Sequence, residues 1–356
     1  MTHSSEIVMI VPKLPPAIDG LGDYGVQLAQ QLDQAHGWRT RFIVGDPTWK
    51  SSEGAFQVKP VAARSPEALI KLLPPTDTPL LLQYAGHGYA KRGCPVWLVQ
   101  ALTQWCNAGG RLITVFHELY ATRPIFSSAT LTRHLQKRLA VQLMKLSDRT
   151  FTSRESYAEK IRHLSQKSTI VLPVFSNVGE CLYPKPLTAR SRNLVIFGSP
   201  RSRQDIYQRS QLEQICRDLK IDTILDVGAA LSFELNQVGT VPVQSLGVQT
   251  TEQISAILSD AIAGVVSYPT AFLAKSSIFS AYCSHGVLPI VISSEIDHQD
   301  GLIANQHYWW MQSSVPNSIQ AIATSAHEWY LEHSLKIQAE QFAQCFEVDS
   351  VILTRP

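Results

Sequence analysis

Several short stretches carry residue types that could bind or polarise a ligand. His117-Glu118-Leu119-Tyr120 places an imidazole and a carboxylate directly behind the apolar run Leu112–Phe116. Such an imidazole can hydrogen-bond or polarise a substrate, or it can simply satisfy nearby backbone groups. Lys275-Ser276-Ser277 sets an ammonium and two hydroxyls just before the helical pattern Ile278, Phe279, Ala281, Tyr282. A cation beside the free N–H groups of a helix start makes an anion site. Gly198-Ser199-Pro200-Arg201-Ser202-Arg203-Gln204 puts two arginines behind a glycine. They fit a diphosphate through charge-assisted, bidentate hydrogen bonds, and equally a solvated basic loop.

Two further stretches are less specific. In Gly20-Leu21-Gly22-Asp23-Tyr24 the glycines allow close backbone approach to a ligand, and Asp23 can cap the helix that follows. The same residues also suit a plain turn. They do not form GxGxxG, and no acidic residue ends a second strand as dinucleotide binding requires. Gln83, Tyr84, His87 and Tyr89 mix polar and aromatic groups in a way that suits a sugar ring. No serine lies in a nucleophile-elbow pattern, so a Ser-His-Asp reading has no support. The six cysteines, Cys94, Cys106, Cys181, Cys216, Cys283 and Cys345, are scattered without CxxC spacing. They indicate neither a zinc site nor a disulfide framework.

The elements that must position these groups follow from hydrophobic periodicity. Ile7–Val11, Arg41–Val44, Leu80–Gln83, Leu112–Phe116, Thr150–Thr152 and Ile170–Leu172 read as strands. Helical patterns lie between them, at Gly25–Leu32, through Leu131, Leu135, Leu139, Leu143 and Leu146, and behind Ser153 as a cap. The proline-bearing stretch Pro173–Asn193 loses periodicity and reads as a linker. The alternation then restarts with strands Leu194–Phe197, Thr223–Val227, Gly264–Ser267 and Leu288–Ile292, and Ala326–Phe346 reads as one long closing helix. Strands alternating with helices imply parallel sheets with right-handed crossovers, whose ligands bind beyond the strands' carboxyl ends. The expectation is α/β, with two Rossmann-like doubly wound domains facing a cleft, residues 1–175 and 190–329, and the helix 330–356 packing back on the first.

A chain of 356 residues, 45% hydrophobic and 17% charged, can fill two such cores. Its net charge of +2 lacks the strongly basic signature of a nucleic-acid binder. The opening MTHSSEIVMIVPKLPP reads as a first strand and not as a signal peptide. No apolar run approaches the roughly 20 residues that cross a bilayer, so a soluble, cytoplasmic protein is expected. Arg133, Lys137, Arg138, Lys145 and Arg149 crowd one stretch. That stretch, 131–149, suits either a solvated face or peripheral contact with an anionic membrane.

Taken in order, these stretches resemble the GT-B glycosyltransferases, in particular the retaining family 4-type group that includes sucrose synthases and many bacterial mannosyl- and glucosyltransferases. The resemblance covers nearly the whole chain. It rests on Pro15-Pro16 with Gly20-Leu21-Gly22-Asp23-Tyr24-Gly25, on His117–Tyr120, and on Ser276–Val291, which is similar to the family's helix running into a Gly-x-Pro-Val-Val strand. It implies transfer of a sugar from a nucleotide diphosphate sugar to a hydroxyl of a carbohydrate, lipid or small-molecule acceptor. Retention of configuration, no metal and no cofactor beyond the sugar nucleotide are implied with it. His117 and Glu118 would then be catalytic. Gly198, Arg201, Arg203, Lys275, Ser276 and Ser277 would hold the donor diphosphate, and Gly20, Gly22, Asp23, Tyr84 and His87 would lie on the acceptor side. The family usually carries a pair of glutamates on the loop and helix before the glycine, where this chain has Leu273 and Ala281. In the family one lies near the donor sugar and the other holds the ribose. Their replacement leaves the donor open and keeps a non-catalytic GT-B-like binding or scaffold protein as the alternative. A sugar-phosphate epimerase, or a phosphorylase with pyridoxal phosphate, can share the fold.

Overall fold

The computed structural model describes residues 5–17, 19–50, 56–121 and 129–348. The chain divides into two compact units, Met1–Leu172 with Leu335–Pro356, and Pro173–Ser334. In the first, strands β1 (Glu6–Val11), β2 (Arg39–Val44), β3 (Gln57–Pro60), β4 (Leu80–Tyr84), β5 (Leu112–Phe116), β6 (Arg149–Thr152) and β7 (Ile170–Val171) form one parallel sheet in the order 3-2-1-4-5-6-7. All residues of β4 and β5 are buried, which is why these strands read as continuous apolar runs and not as alternating ones. The strand order reverses between β1 and β4, where Val8 faces Leu80 and Ile10 faces Leu82. Helix Gly20–His36 follows β1 and is amphipathic, burying Tyr24, Leu28, Ala29 and Leu32. Helix Leu335–Val348 belongs to the same unit: Phe342 meets Phe151 at 4.3 Å between ring centroids and Phe346 meets Trp38 at 5.1 Å.

The second unit repeats the plan with β8 (Ser191–Phe197), β9 (Thr223–Val227), β10 (Gln237–Val238), β11 (Val241–Gly247), β12 (Ala261–Ser267), β13 (Leu288–Ile292) and β14 (Trp309–Trp310) in the order 10-11-9-8-12-13-14. All neighbours are parallel except β10 and β11. The reversal lies between β8 and β12. Helix Ser277–Ser284 crosses over them with Tyr282 laid on Gly264, where an added β-carbon would stand 2.2 Å from the ring. The Tyr282 hydroxyl lies 3.1 Å from Val265 O and 3.2 Å from Val195 O, so it is hydrogen-bonded within the sheet.

Four readings of the sequence change. The stretch 173–193 is packed into the second unit: Phe175, Ser176, Val178 and Leu187 are buried, Ser176 N donates to Tyr330 Oη and Ser280 Oγ to Val174 O. The single closing helix is two helices, Ile319–Leu331 and Leu335–Val348, and the break between them coincides with the unit boundary at Ser334. The part of the expected 330–356 helix beyond residue 348 lies outside the described residues. Residues 200–207 form a helix, Pro200–Tyr207, with Pro200 in its first turn. The helix after β6 is Glu155–Ser165 with Arg154, not Ser153, at its N-cap. Among the described residues no helix is long and apolar enough to cross a membrane.

Candidate functional sites at the strand ends

In the first unit, Gln83 of β4, His117 just after β5 and Tyr24 of helix Gly20–His36 come together. His117 is the residue after β5, with its N–H bonded to Tyr84 O at 3.0 Å. Its ring is buried at 9% exposure, 2.7 Å from Gln83 Oε1 through Nε2 and edge-on to the Tyr24 ring at 5.1 Å. Tyr24 Oη donates to Gln338 Oε1 at 2.7 Å, so helix Leu335–Val348 takes part in the same cluster. Glu118 is exposed. Burial raises the neighbouring Tyr157 phenol, Arg154 at 5.1 Å over the ring opposes that, and the Glu118 charge adds to the rise. Arg154, at the N-cap of the helix after β6, was not singled out from the sequence, and Tyr157 was read there only as part of that helix's apolar face.

The start of helix Gly20–His36 is held differently from the expectation. Asp19, not Asp23, is the cap, accepting from Leu21 N at 2.9 Å and Gly22 N at 3.0 Å. Asp23 is half-buried and its carboxyl is pushed up, by burial first and by the Asp19 charge second. Gly22 is required sterically, because a β-carbon there would lie 2.2 Å from Lys13 O, whereas Gly20 has open space. His87 is exposed on the short helix Gly86–Tyr89, and Gly88 lets that turn press on Pro12, 2.7 Å from the place of a β-carbon. Tyr84 and Tyr89 leave the candidate list. Both are fully buried, Tyr84 in the core against Phe116 at 5.5 Å, Tyr89 with its hydroxyl 2.7 Å from Gln83 O. An aromatic ring committed to the core cannot stack on a sugar.

In the second unit, the reversal between β8 and β12 brings Gly198 next to the start of helix Ser277–Ser284. Gly198 has φ +131°, and a β-carbon on it would sit 2.8 Å from Ile278 Cδ1 and 3.2 Å from Ser202 Oγ. Ser199 caps helix Pro200–Tyr207 by accepting from Ser202 N at 3.2 Å, and Ser276 caps helix Ser277–Ser284 by accepting from Phe279 N at 3.2 Å. Two helix N-termini therefore open at the same strand ends, with Arg201 exposed on the first and Lys275 half-buried before the second. Ser276 is buried and Ser277 half-buried. Ser267, the last residue of β12, donates to Asp205 Oδ2.

Arg203 is a correction. Its side chain is fully buried, paired with Asp226 through Nη1, and it donates from Nε to Gly198 O at 3.1 Å and from Nη2 to Ala229 O. Tyr207 Oη adds a hydrogen bond to Asp226 Oδ2 at 2.8 Å. All three guanidinium nitrogens are engaged inside the unit, so this arginine shapes the Gly198 and Gly228 turns and does not reach a diphosphate. Asp226, buried within β9, is the partner that a scan for strand-end residues misses. The positions of the family's paired glutamates, Leu273 and Ala281, are fully buried. Among the described residues no group of three or more His, Cys, Asp or Glu side chains could hold a metal ion.

No protein-family model and no curated protein matches the sequence. Solved structures do. The pneumococcal O-GlcNAc transferase GtfA, solved with UDP and GlcNAc, superposes with a TM-score of 0.58 at 9% identity, covering 97% of this chain and 99% of that one. The N-terminal domain of Candida albicans trehalose-6-phosphate phosphatase gives 0.57 at 11% identity, covering 96% of each chain. Anabaena HepE, solved with UDP-glucose, gives 0.52 at 14% identity, covering 97% and 96%. With the two doubly wound sheets, this likeness defines the class of fold: α/β of the GT-B type, two Rossmann-like domains in one chain.

Proposed function

We propose that this protein is a glycosyltransferase that moves a sugar from a nucleotide diphosphate sugar to an acceptor hydroxyl, with retention and without a metal. The observation that carries the reading is the β8–β12 reversal, where the capped starts of helices Pro200–Tyr207 and Ser277–Ser284 meet at the Gly198 turn, with Arg201 in the first turn of one and Lys275 two residues before the other. Free helix N–H groups and cations suit an anion, and they can stabilise a departing diphosphate without metal or cofactor. Support comes from the fold relatives GtfA, solved with UDP, and HepE, solved with UDP-glucose. In the transfer, the bond from the sugar's anomeric carbon to the diphosphate breaks. The acceptor oxygen bonds that carbon on the same face, and the hydroxyl proton leaves with the diphosphate. His117, with Glu118 beside it, supplies hydrogen bonds to sugar or acceptor hydroxyls, and Gly20, Gly22, Asp23 and His87 line the acceptor side. The helix Ala129–Leu146 carries Arg133, Lys137, Arg138 and Lys145 and no acidic residue, which suits peripheral contact with an anionic membrane that presents a lipid acceptor.

The test is a thermal-shift panel of UDP-, GDP- and ADP-sugars, followed by nucleoside diphosphate release with and without excess chelator. A ligand that binds only the folded state raises the melting temperature. At least one donor is expected to do so, with release that survives chelation. Lys275→Ala is expected to weaken nucleoside diphosphate binding by about one to two decades, since a charge-assisted hydrogen bond contributes about 1.5–3 kcal/mol. Silence across the panel would sink the proposal. Binding without release under any acceptor would favour the non-catalytic alternative.

A further inference from the structure

We propose that the second unit carries a carbohydrate-binding site at its sheet edge, separate from the strand-end groups of β8 and β12. A pocket of about 470 Å³ lies there, between the loops on either side of β14 and the first turns of helix Ile319–Leu331. That volume falls within the roughly 300–1,000 Å³ of small-molecule sites. β14 is the edge strand, and β13 stands between it and β12.

Two local ties build the pocket. Asn305, at φ +61°, accepts on Oδ1 from Trp310 N at 3.3 Å and from Ser313 Oγ at 3.0 Å, which joins the loop before β14 to the loop after it. Ser318 caps helix Ile319–Leu331 by accepting from Ala321 N at 3.2 Å. A backbone N–H can only donate, so the oxygen of the Asn305 amide is committed and its NH2 group is left over. The side chains of Gln306, Ser314, Asn317 and Ser325 also line the pocket and hydrogen-bond to none of the described residues.

The lining chemistry selects the ligand. Carboxamides and hydroxyls both donate and accept, which matches the hydroxyls of a sugar. Ile322, Val315 and Pro316 supply an apolar part suited to the C–H face of the ring. Among the described residues that line the pocket none is charged, so a phosphate or carboxylate finds no counter-charge. None is aromatic, so a nucleobase finds no stacking partner. In the free protein these side chains hold water, which ligand hydroxyls can replace bond for bond. The binding does not depend on the transfer reading; together with it, the pocket retains a saccharide acceptor or product on the protein.

The experiment is a titration of the full-length protein, without sugar nucleotide, by maltotriose, cellotriose and chitotriose at millimolar concentrations. NMR of the Asn and Gln side-chain amides is the readout. Uridine, trialanine and inorganic phosphate serve as comparison ligands. At least one trisaccharide is expected to shift the Asn305, Gln306 and Asn317 amides, and the comparison ligands are expected to leave them in place. Asn317→Ala and Ser325→Ala should each weaken that trisaccharide about three- to tenfold, the effect of one net hydrogen bond. Ala321→Leu adds bulk at an exposed lining position and should abolish the binding. No shift with any trisaccharide, or as large a shift with uridine, trialanine or phosphate, would overturn the proposal. So would wild-type affinity in all three variants. The two readings fail separately. A protein that binds a trisaccharide but releases nucleoside diphosphate from no sugar nucleotide loses the transfer reading alone. An active enzyme whose pocket amides stay unmoved loses this site alone.

Discussion

The two sheets reverse direction at equivalent places, and each buries polar groups there, but with opposite chemistry. In the first unit the cluster is uncharged amide, phenol and imidazole: Gln83, Tyr24, Gln338 and His117. In the second it is an ion pair, Arg203 with Asp226, braced by Tyr207. Two neutral hydrogen-bonded pairs joined by an edge-on ring contact carry no charge that the fold must compensate. A buried ion pair has a different requirement: each charge must be fully compensated from within, or its desolvation destabilises the fold. The pair therefore uses up Arg203 and shapes the Gly198 turn, while Arg201 is exposed and Lys275 half-buried. A cation behind a strand-end glycine is thus not by itself a ligand contact. What decides is how many of its donors the fold has already taken.

The comparison is most easily broken at Arg203. Arg203→Ala leaves Asp226 buried without its cation and is expected to cost about 3–5 kcal/mol in denaturant unfolding. Exchanging both partners, Arg203→Met with Asp226→Leu, should regain a large part of that loss. A single variant within about 0.5 kcal/mol of wild type would mean that the pair is solvated and that the contrast between the units is mistaken.

Acid should sharpen the contrast. Burial lowers the pKa of three histidines in the second unit, His285, His307 and His333, the last to about 3. The unfolded chain binds a proton at His333 near the ordinary imidazole value of about 6.5, the folded chain only near 3. Between those values the unfolded state holds more protons. Stability is thus full above about pH 6.5 and is lost as pH falls. At 1.36 kcal/mol per unit, the His333 share between pH 6.5 and 5 is roughly 1.5–2 kcal/mol. His333→Phe is expected to remove that slope, whatever it does to stability at neutral pH. A slope that persists undiminished would place the acid sensitivity elsewhere.

A smaller effect is expected in the neutral network. Tyr24→Phe deletes the hydrogen bond to Gln338 and should cost about 1 kcal/mol, the usual net contribution of one buried hydrogen bond. A Tyr24→Phe variant as stable as wild type in denaturant unfolding would mean that this hydroxyl contributes no net hydrogen-bond energy to the cluster.

These distinctions also explain what could be read before the structure. Buried parallel strands are continuous apolar runs, and β5, β9 and β13 have the same bounds in sequence and in structure. The missed strands lie at the sheet edges or, for β11, next to one. β3 is Gln57–Pro60 with mostly exposed residues, β11 contains Pro242 and exposed polar positions, and β10 and β14 have two residues each. An edge needs no apolar run, so periodicity cannot find it. Helix Val96–Asn107 also went unread, although Gln100, Thr103, Gln104 and Asn107 recur at helical spacing and mark its outer face. At the sites, strand-end position led to His117 and Gly198, which directly follow β5 and β8, and to Ser276, which caps helix Ser277–Ser284. It failed for Arg203, Tyr84 and Tyr89, because local sequence does not show a partner that arrives from another strand: Asp226 from β9, Phe116 from β5, Ile10 O from β1.

The smallest effect on stability, and the finest test of the comparison, is expected at Arg201. It lies two residues from Arg203, in the first turn of the helix that Ser199 caps, and it is exposed. It makes no hydrogen bond or ion pair to the described residues, whereas Arg203 engages Gly198, Asp226 and Ala229. Arg201→Ala should therefore leave unfolding within about 0.5 kcal/mol of wild type, as surface substitutions do. On the proposed reading its guanidinium meets the donor's phosphates, and removing one charge-assisted hydrogen bond should weaken UDP binding by about one to two decades in calorimetric titration. The pair of arginines would then separate cleanly: Arg203→Ala loses stability, Arg201→Ala loses affinity. Unchanged UDP affinity with unchanged stability would return Arg201 to the solvated surface and leave Lys275 and the helix starts to hold the diphosphate. A loss of stability instead would mean that both arginines brace the fold, and the division between structural and ligand-facing cations at this turn would fail.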